Sequence, residues 1–112
     1  MIEIIEKQID NKKLRSFLNN PFPEMVKFVV DIEKNIIALG GEMHADAERI
    51  LLENNSEQKN LWGGNIYPDK NGEIEFTSLI NIRPSQENLS MEIQSEEIKN
   101  EIIRIVKNLI EL

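Results

Sequence analysis

The residues best suited to chemistry fall in one run, Gly40-Gly41-Glu42-Met43-His44-Ala45-Asp46-Ala47-Glu48, which holds the chain's only histidine, three carboxylates and two adjacent glycines. On a helix His44 and Glu48 stand one turn apart on the same face, the placement needed for two ligands of a divalent cation. Asp46 lies about 200° around such a helix from His44 and joins the set only if the helix starts late. Glu42 can swing in if it precedes the helix. The tentative metal set is therefore Glu42, His44, Asp46 and Glu48, with a divalent cation as the cofactor. The same residues have a plainer reading. Acids in a first turn complement the helix dipole, and a His–Glu pair at this spacing is often a surface contact. An anion nest at Gly40-Gly41 is opposed by the acids that follow. The glycines are better read as a sharp exit from a strand, with positive φ.

A second constellation is Asn65, Tyr67, Asn81 and Arg83. If Asn71-Gly72 closes a regular hairpin, these side chains share a sheet face with Glu75 and Thr77. Asparagine is disfavoured in strands, so two of them ask for a reason. One reason is a shallow polar cleft in which Arg83 takes a carboxylate. The alternatives are a solvated face or half of a dimer contact. Trp62, the single tryptophan, is read as core. Gly63-Gly64 beside it leaves room for a neighbouring aromatic such as Phe76, and a ligand-stacking role for the indole is the alternative.

Hydrophobic patterning supplies the elements that must position these residues. Ile2 to Lys7 reads as a short strand. Asp10 caps a helix to Asn19 through Leu14, Phe17 and Leu18, and Asn19 to Pro23 breaks it. Met25 to Ile32 and Ile36 to Leu39 form a hairpin around Glu33-Lys34-Asn35. Glu42 to Asn54 is a helix with Met43, Ala47, Ile50 and Leu51 on its apolar face. Leu61 to Tyr67 and a long Glu73 to Arg83 flank the turn Pro68 to Gly72. In the second of these strands Ile74, Phe76, Ile80 and Ile82 line one face. Pro84 to Gln94 is a polar loop, and Ser95 caps a last helix with an Ile98, Ile102, Ile105, Val106 and Leu109 stripe. The order β-α-β-β-α-β-β-α predicts an α+β fold, a two-layer α/β sandwich. Three helices cover one face of a mostly antiparallel sheet of about five strands.

The bulk properties bound the function. The 112 residues fit a single globular domain, 1–112, able to bury roughly two-thirds of its unfolded surface without a staple. Cysteine is absent, which removes thiol catalysis, thiolate metal sites and disulfides. A formal charge of −7, from 20 acidic and 13 basic residues, disfavours nucleic acid and anionic membranes as partners. No apolar run approaches the ~20 residues of a membrane span. The start, Met1-Ile2-Glu3-Ile4-Ile5-Glu6, lacks the basic region of a signal peptide. A cytoplasmic location is expected.

Several segments together resemble a prokaryotic family of unknown function. They are Val30-Asp31-Ile32-Glu33, Gly40-Gly41-Glu42-Met43-His44-Ala45-Asp46-Ala47-Glu48, Leu61-Trp62-Gly63 with Asn65 and Tyr67-Pro68, and Ile80-Asn81-Ile82-Arg83-Pro84-Ser85. The resemblance covers nearly the whole chain and implies no activity. It adds weight to the His44 segment. It also marks a departure. In the family pattern the loop after Arg-Pro-Ser continues with Gly, Asn, Arg, Ser and a basic residue. Asn88 and Ser90 match, but Leu89 and Met91 stand where the basic residues would be. An anion held by that loop in relatives would be held weakly or not at all here.

Three functions follow. The first is a non-catalytic binding or regulatory module for a small ligand or protein. The second is a metal-binding protein or metal-assisted enzyme using the His44 segment. The third is a structural subunit that forms a homodimer through an open sheet face or edge strand.

Overall fold

A computed structural model describes residues 1–112. The chain runs β1 (Ile2–Ile5), α1 (Asn11–Arg15), β2 (Val26–Asp31), β3 (Ile36–Gly40), α2 (His44–Glu53), β4 (Leu61–Tyr67), β5 (Glu73–Glu75) and α3 (Glu96–Leu109). The five strands form one sheet in the order β1-β3-β2-β4-β5, and every pairing is antiparallel. The fold is α+β, with the element order read from the sequence.

Local chemistry explains the boundaries. Asp10 caps α1 by accepting from the Lys13 N–H at 2.8 Å. Ser95 caps α3 by accepting from the Ile98 N–H at 3.2 Å. The β2–β3 reversal is built on the buried Asp31 carboxylate. Its Oδ1 accepts from the Glu33 and Lys34 N–H groups at 2.9 and 3.0 Å, and its Oδ2 from the Ser56 hydroxyl at 2.7 Å. Asn35 completes the turn in the left-handed region, φ 57°. Four of the five non-glycine residues with positive φ are asparagines, which tolerate that region; the fifth is Glu87 at φ 60°.

The layering differs from the two-layer expectation. Phe28, Val30, Ile37, Leu39, Trp62 and Ile66 face α1 and α3 in the larger core. Val29, Ile36, Ala38 and Leu61 face the opposite way and pack on Ala47 and Leu51 of α2. So α2 covers the second face, and the sheet lies between two helical layers. The cause is in the strands. Phe28-Val29-Val30 and Ile36 to Leu39 are continuous apolar runs, the signature of strands buried on both sides.

The long strand over Glu73 to Arg83 is also corrected. β5 ends at Glu75, and residues 79–81 form a 3-10 turn. Ser78 caps that turn through its hydroxyl, which accepts from the Ile80 N–H at 3.3 Å, while its own N–H donates to the Met91 carbonyl at 3.0 Å. Ile74 and Phe76 join the larger core, but Ile80 packs on the other face and Ile82 is exposed. The aromatic admitted by Gly64 is Phe28 of β2, not Phe76: a Cβ on Gly64 would stand 2.6 Å from Phe28 Cζ.

Candidate functional site

Where β5 stops, the outer edge of β4 lies against a turn rather than a strand, and two clefts open there against α2. Gly40 and Gly41, at φ 102° and 91°, turn the chain from β3 into α2 as expected. The helix begins at His44, two residues later than the sequence suggests. His44 therefore sits in the first turn and packs against β4. Its ring has room because Gly63 lacks a side chain: a Cβ there would meet His44 Cδ2 at 3.2 Å and Ser78 Cβ at 2.9 Å.

His44 is 8% exposed. Its Nε2 lies 2.7 Å from the Gly64 carbonyl oxygen. A carbonyl only accepts, so Nε2 carries the proton and Nδ1 is the ring's remaining acceptor when the imidazole is neutral. Burial pushes the His44 pKa down, and the nearby Lys27 cation acts the same way; the Gly64 carbonyl and the Asn65 side chain oppose them. Lys27 faces Asn65 across the β2–β4 ladder. Burial lowers the Lys27 pKa in turn, with Glu75 opposing.

Asn65 and Tyr67 meet on Glu75, as their shared face predicts. The Asn65 amide nitrogen and the Tyr67 hydroxyl both donate to Glu75 Oε1 at 2.9 Å. Burial and then Glu75 raise the Tyr67 pKa. Asn65 is only 4% exposed, and its Oδ1 is buried without a partner. Lys27, Glu42, His44, Asn65, Thr77 and Ser78 form the polar part of a cleft of about 280 Å³, whose rim includes Met43 and Leu79.

Asn81 and Arg83 do not join that face. Asn81 turns back to β4. Arg83 lies with its guanidinium carbon 4.7 Å from the centre of the Trp62 ring. Its Nη2 donates to the Ile80 carbonyl at 3.0 Å and stands 4.0 Å from Glu48 Oε2. Burial lowers the Arg83 pKa, and Glu48 opposes that. Arg83 and Glu48 line a second cleft of about 330 Å³. Ile80 borders both clefts and divides them.

The metal set is not assembled. His44 spends Nε2 on a backbone carbonyl, Glu42 lies before the helix on the first cleft, and Glu48 faces Arg83 in the second. Asp46 lies in the first turn, and no three His, Asp or Glu side chains stand close enough to share an ion.

Lys27 and Ser78 were not singled out from the sequence, and Asn88 was named only as a match to the family pattern. Lys27 interrupts the apolar run of β2, and that interruption was the available signal. Ser78 carried none beyond its turn propensity. Asn88 organises the loop after Arg83: its Nδ2 lies 2.8 Å from the Asn81 carbonyl and 2.9 Å from that of Ser90, and its Oδ1 accepts from the Gln94 N–H at 2.9 Å. This leaves Leu89 72% and Met91 43% exposed, with Met91 on the rim of the first cleft. No helix is long and apolar enough to cross a membrane.

Residues 3–109 match a family model described as "Protein of unknown function (DUF5674)". No curated protein and no solved structure matches the chain.

Proposed function

The chain belongs to the DUF5674 family, and from the geometry of its clefts we propose that it is a non-catalytic binding module. The His44–Asn65 cleft takes a neutral ligand group that is apolar at one end and carries an N–H or O–H donor at the other. The observation that carries this reading is the buried, unpartnered Oδ1 of Asn65 on a cleft of about 280 Å³. A buried acceptor without a partner costs about 1–3 kcal/mol, and a ligand donor removes that cost. Neutral His44 offers Nδ1 as a second acceptor. Lys27 and Glu42 bring one charge of each sign to the lining, so a net charge on the ligand gains nothing there. Met43, Leu79 and Met91 suit the apolar end. A binding role fits the polar groups better than turnover does, because His44 hydrogen-bonds a backbone carbonyl and the Ser78 hydroxyl accepts from the Ile80 N–H. Neither is aimed at the other as a base to a nucleophile.

The test is a titration with benzamide followed in amide NMR spectra. Saturable shifts confined to His44, Asn65, Ser78 and Met91, lost in Asn65→Leu, are expected. Unchanged spectra, or shifts scattered over the surface, would refute the reading. A second reading, contact between two copies, is favoured by the exposed Met43, Leu79, Leu89 and Met91. Sedimentation at tens of micromolar separates them: a monomer there counts against the dimer.

A further inference from the structure

The second cleft holds the buried Arg83 and the half-buried Glu48, oppositely charged side chains that do not satisfy each other. Arg83 is 8% exposed, and its Nη1 is buried without a partner; Glu48 Oε2 is likewise unpartnered. At 4.0 Å, Nη2 and Oε2 attract but are too far apart to hydrogen-bond. Charged groups left in this state are costly, and each asks for a group of the opposite kind.

The surroundings hold the pair in place. The Arg83 backbone is locked on Asn88, its N–H donating to the Asn88 carbonyl at 2.7 Å and its carbonyl accepting in return at 3.1 Å. Its guanidinium rests on Trp62 and is tied to the Ile80 carbonyl. Glu48 is fixed by α2, one turn beyond His44. Across the mouth, the Gln86 amide donates to the Lys59 carbonyl at 3.0 Å. Lys59 also lines the cleft, but its exposed Nζ is paired with Glu57 Oε2 at 3.6 Å, so the charges left without a hydrogen-bonded partner are one positive, on Arg83, and one negative, on Glu48. The cleft favours a molecule that carries both signs of charge.

We infer that this cleft binds a small zwitterion of the α-amino acid class, with its carboxylate on Arg83 Nη1 and its ammonium group on Glu48 Oε2. A cleft of about 330 Å³ admits such a molecule with a small side chain. The site is separate from the His44–Asn65 cleft, lying beyond Ile80, and does not depend on that cleft's ligand.

The test uses the full chain and three probes, glycine, acetate and methylammonium, each titrated while amide resonances are followed. Glycine should shift Glu48, Arg83, Ser85 and Gln86 saturably, with a Kd on the order of a millimolar for so small a ligand. Acetate and methylammonium, each meeting only one of the two charges, should bind the same residues about tenfold more weakly. Glu48→Gln, which keeps the shape and removes the charge, should reduce glycine to the affinity of acetate. Arg83→Lys should weaken both. Equal binding of glycine and acetate would overturn the zwitterion assignment. No saturable shift with any probe on the folded wild-type protein would overturn the site altogether and leave a structural ion pair only.

Discussion

The carboxamide of Asn81 grips both backbone groups of Gly63: its Oδ1 accepts from the Gly63 N–H at 2.9 Å and its Nδ2 donates to the Gly63 carbonyl at 2.9 Å. The same Nδ2 lies 3.1 Å from the Met91 carbonyl. A side chain thus makes the two bonds that a neighbouring strand would make. Asn81→Leu should leave a buried donor and acceptor unsatisfied and cost roughly 3 kcal/mol or more. Urea unfolding measures this, and a loss near zero would mean the clamp contributes little.

His44 makes stability depend on pH. Its pKa is lowered in the fold, so below about 6.5 the unfolded chain takes a proton that the folded chain resists. Stability from this residue is complete above that pH and falls as pH drops toward the lowered folded value. The slope is at most about 1.4 kcal/mol per pH unit for one proton. His44→Gln removes this dependence. The stability gap between wild type and variant should therefore narrow from pH 7 to pH 5. A constant gap would show that His44 titrates normally.

Gly64 has no slack. A Cβ there would meet Phe28 Cζ at 2.6 Å and the Glu75 carbonyl oxygen at 2.7 Å. Gly64→Ala should destabilise by about 1–3 kcal/mol. Adding Phe28→Leu relieves the first contact and not the second, so the double variant should lose less than the two single variants summed. Strict additivity in thermal unfolding would contradict this coupling.

Glu87 holds φ 60° without the side-chain chemistry that lets asparagine rest there. Glu87→Gly should stabilise the chain by about 0.5–1 kcal/mol, less than the full relief because glycine gains freedom when unfolded. A lower midpoint in denaturant would show that the Glu87 side chain makes a compensating contact.

The sequence made the elements legible where one signal dominated. Ser95 and the stripe from Ile98 to Leu109 marked α3, and Glu33-Lys34-Asn35 marked a reversal. The face covered by α2 was misjudged because its stripe says only that one side is buried, not against what. The doubly apolar runs of β2 and β3 held that information. The segment 76–83 alternates like a strand, yet Ser78 and Asn81 prefer bonds to nearby backbone, and those bonds won. The i, i+4 spacing of His44 and Glu48 sets them one turn apart on α2. It did not reveal that Ile80 would separate them, since that side chain arrives from a distant turn. Buried atoms such as Asn65 Oδ1 become visible only once every neighbour is placed.

The clamp on Gly63 also bears on how the chain meets other chains. An unpaired strand edge is a template on which a foreign strand can grow. At Gly63 that template is already occupied by a side chain that carries hydrogen bonds but cannot be extended. Another molecule would have to dislodge Asn81 before it could pair there, so the sheet remains closed at a point where its own last strand falls short.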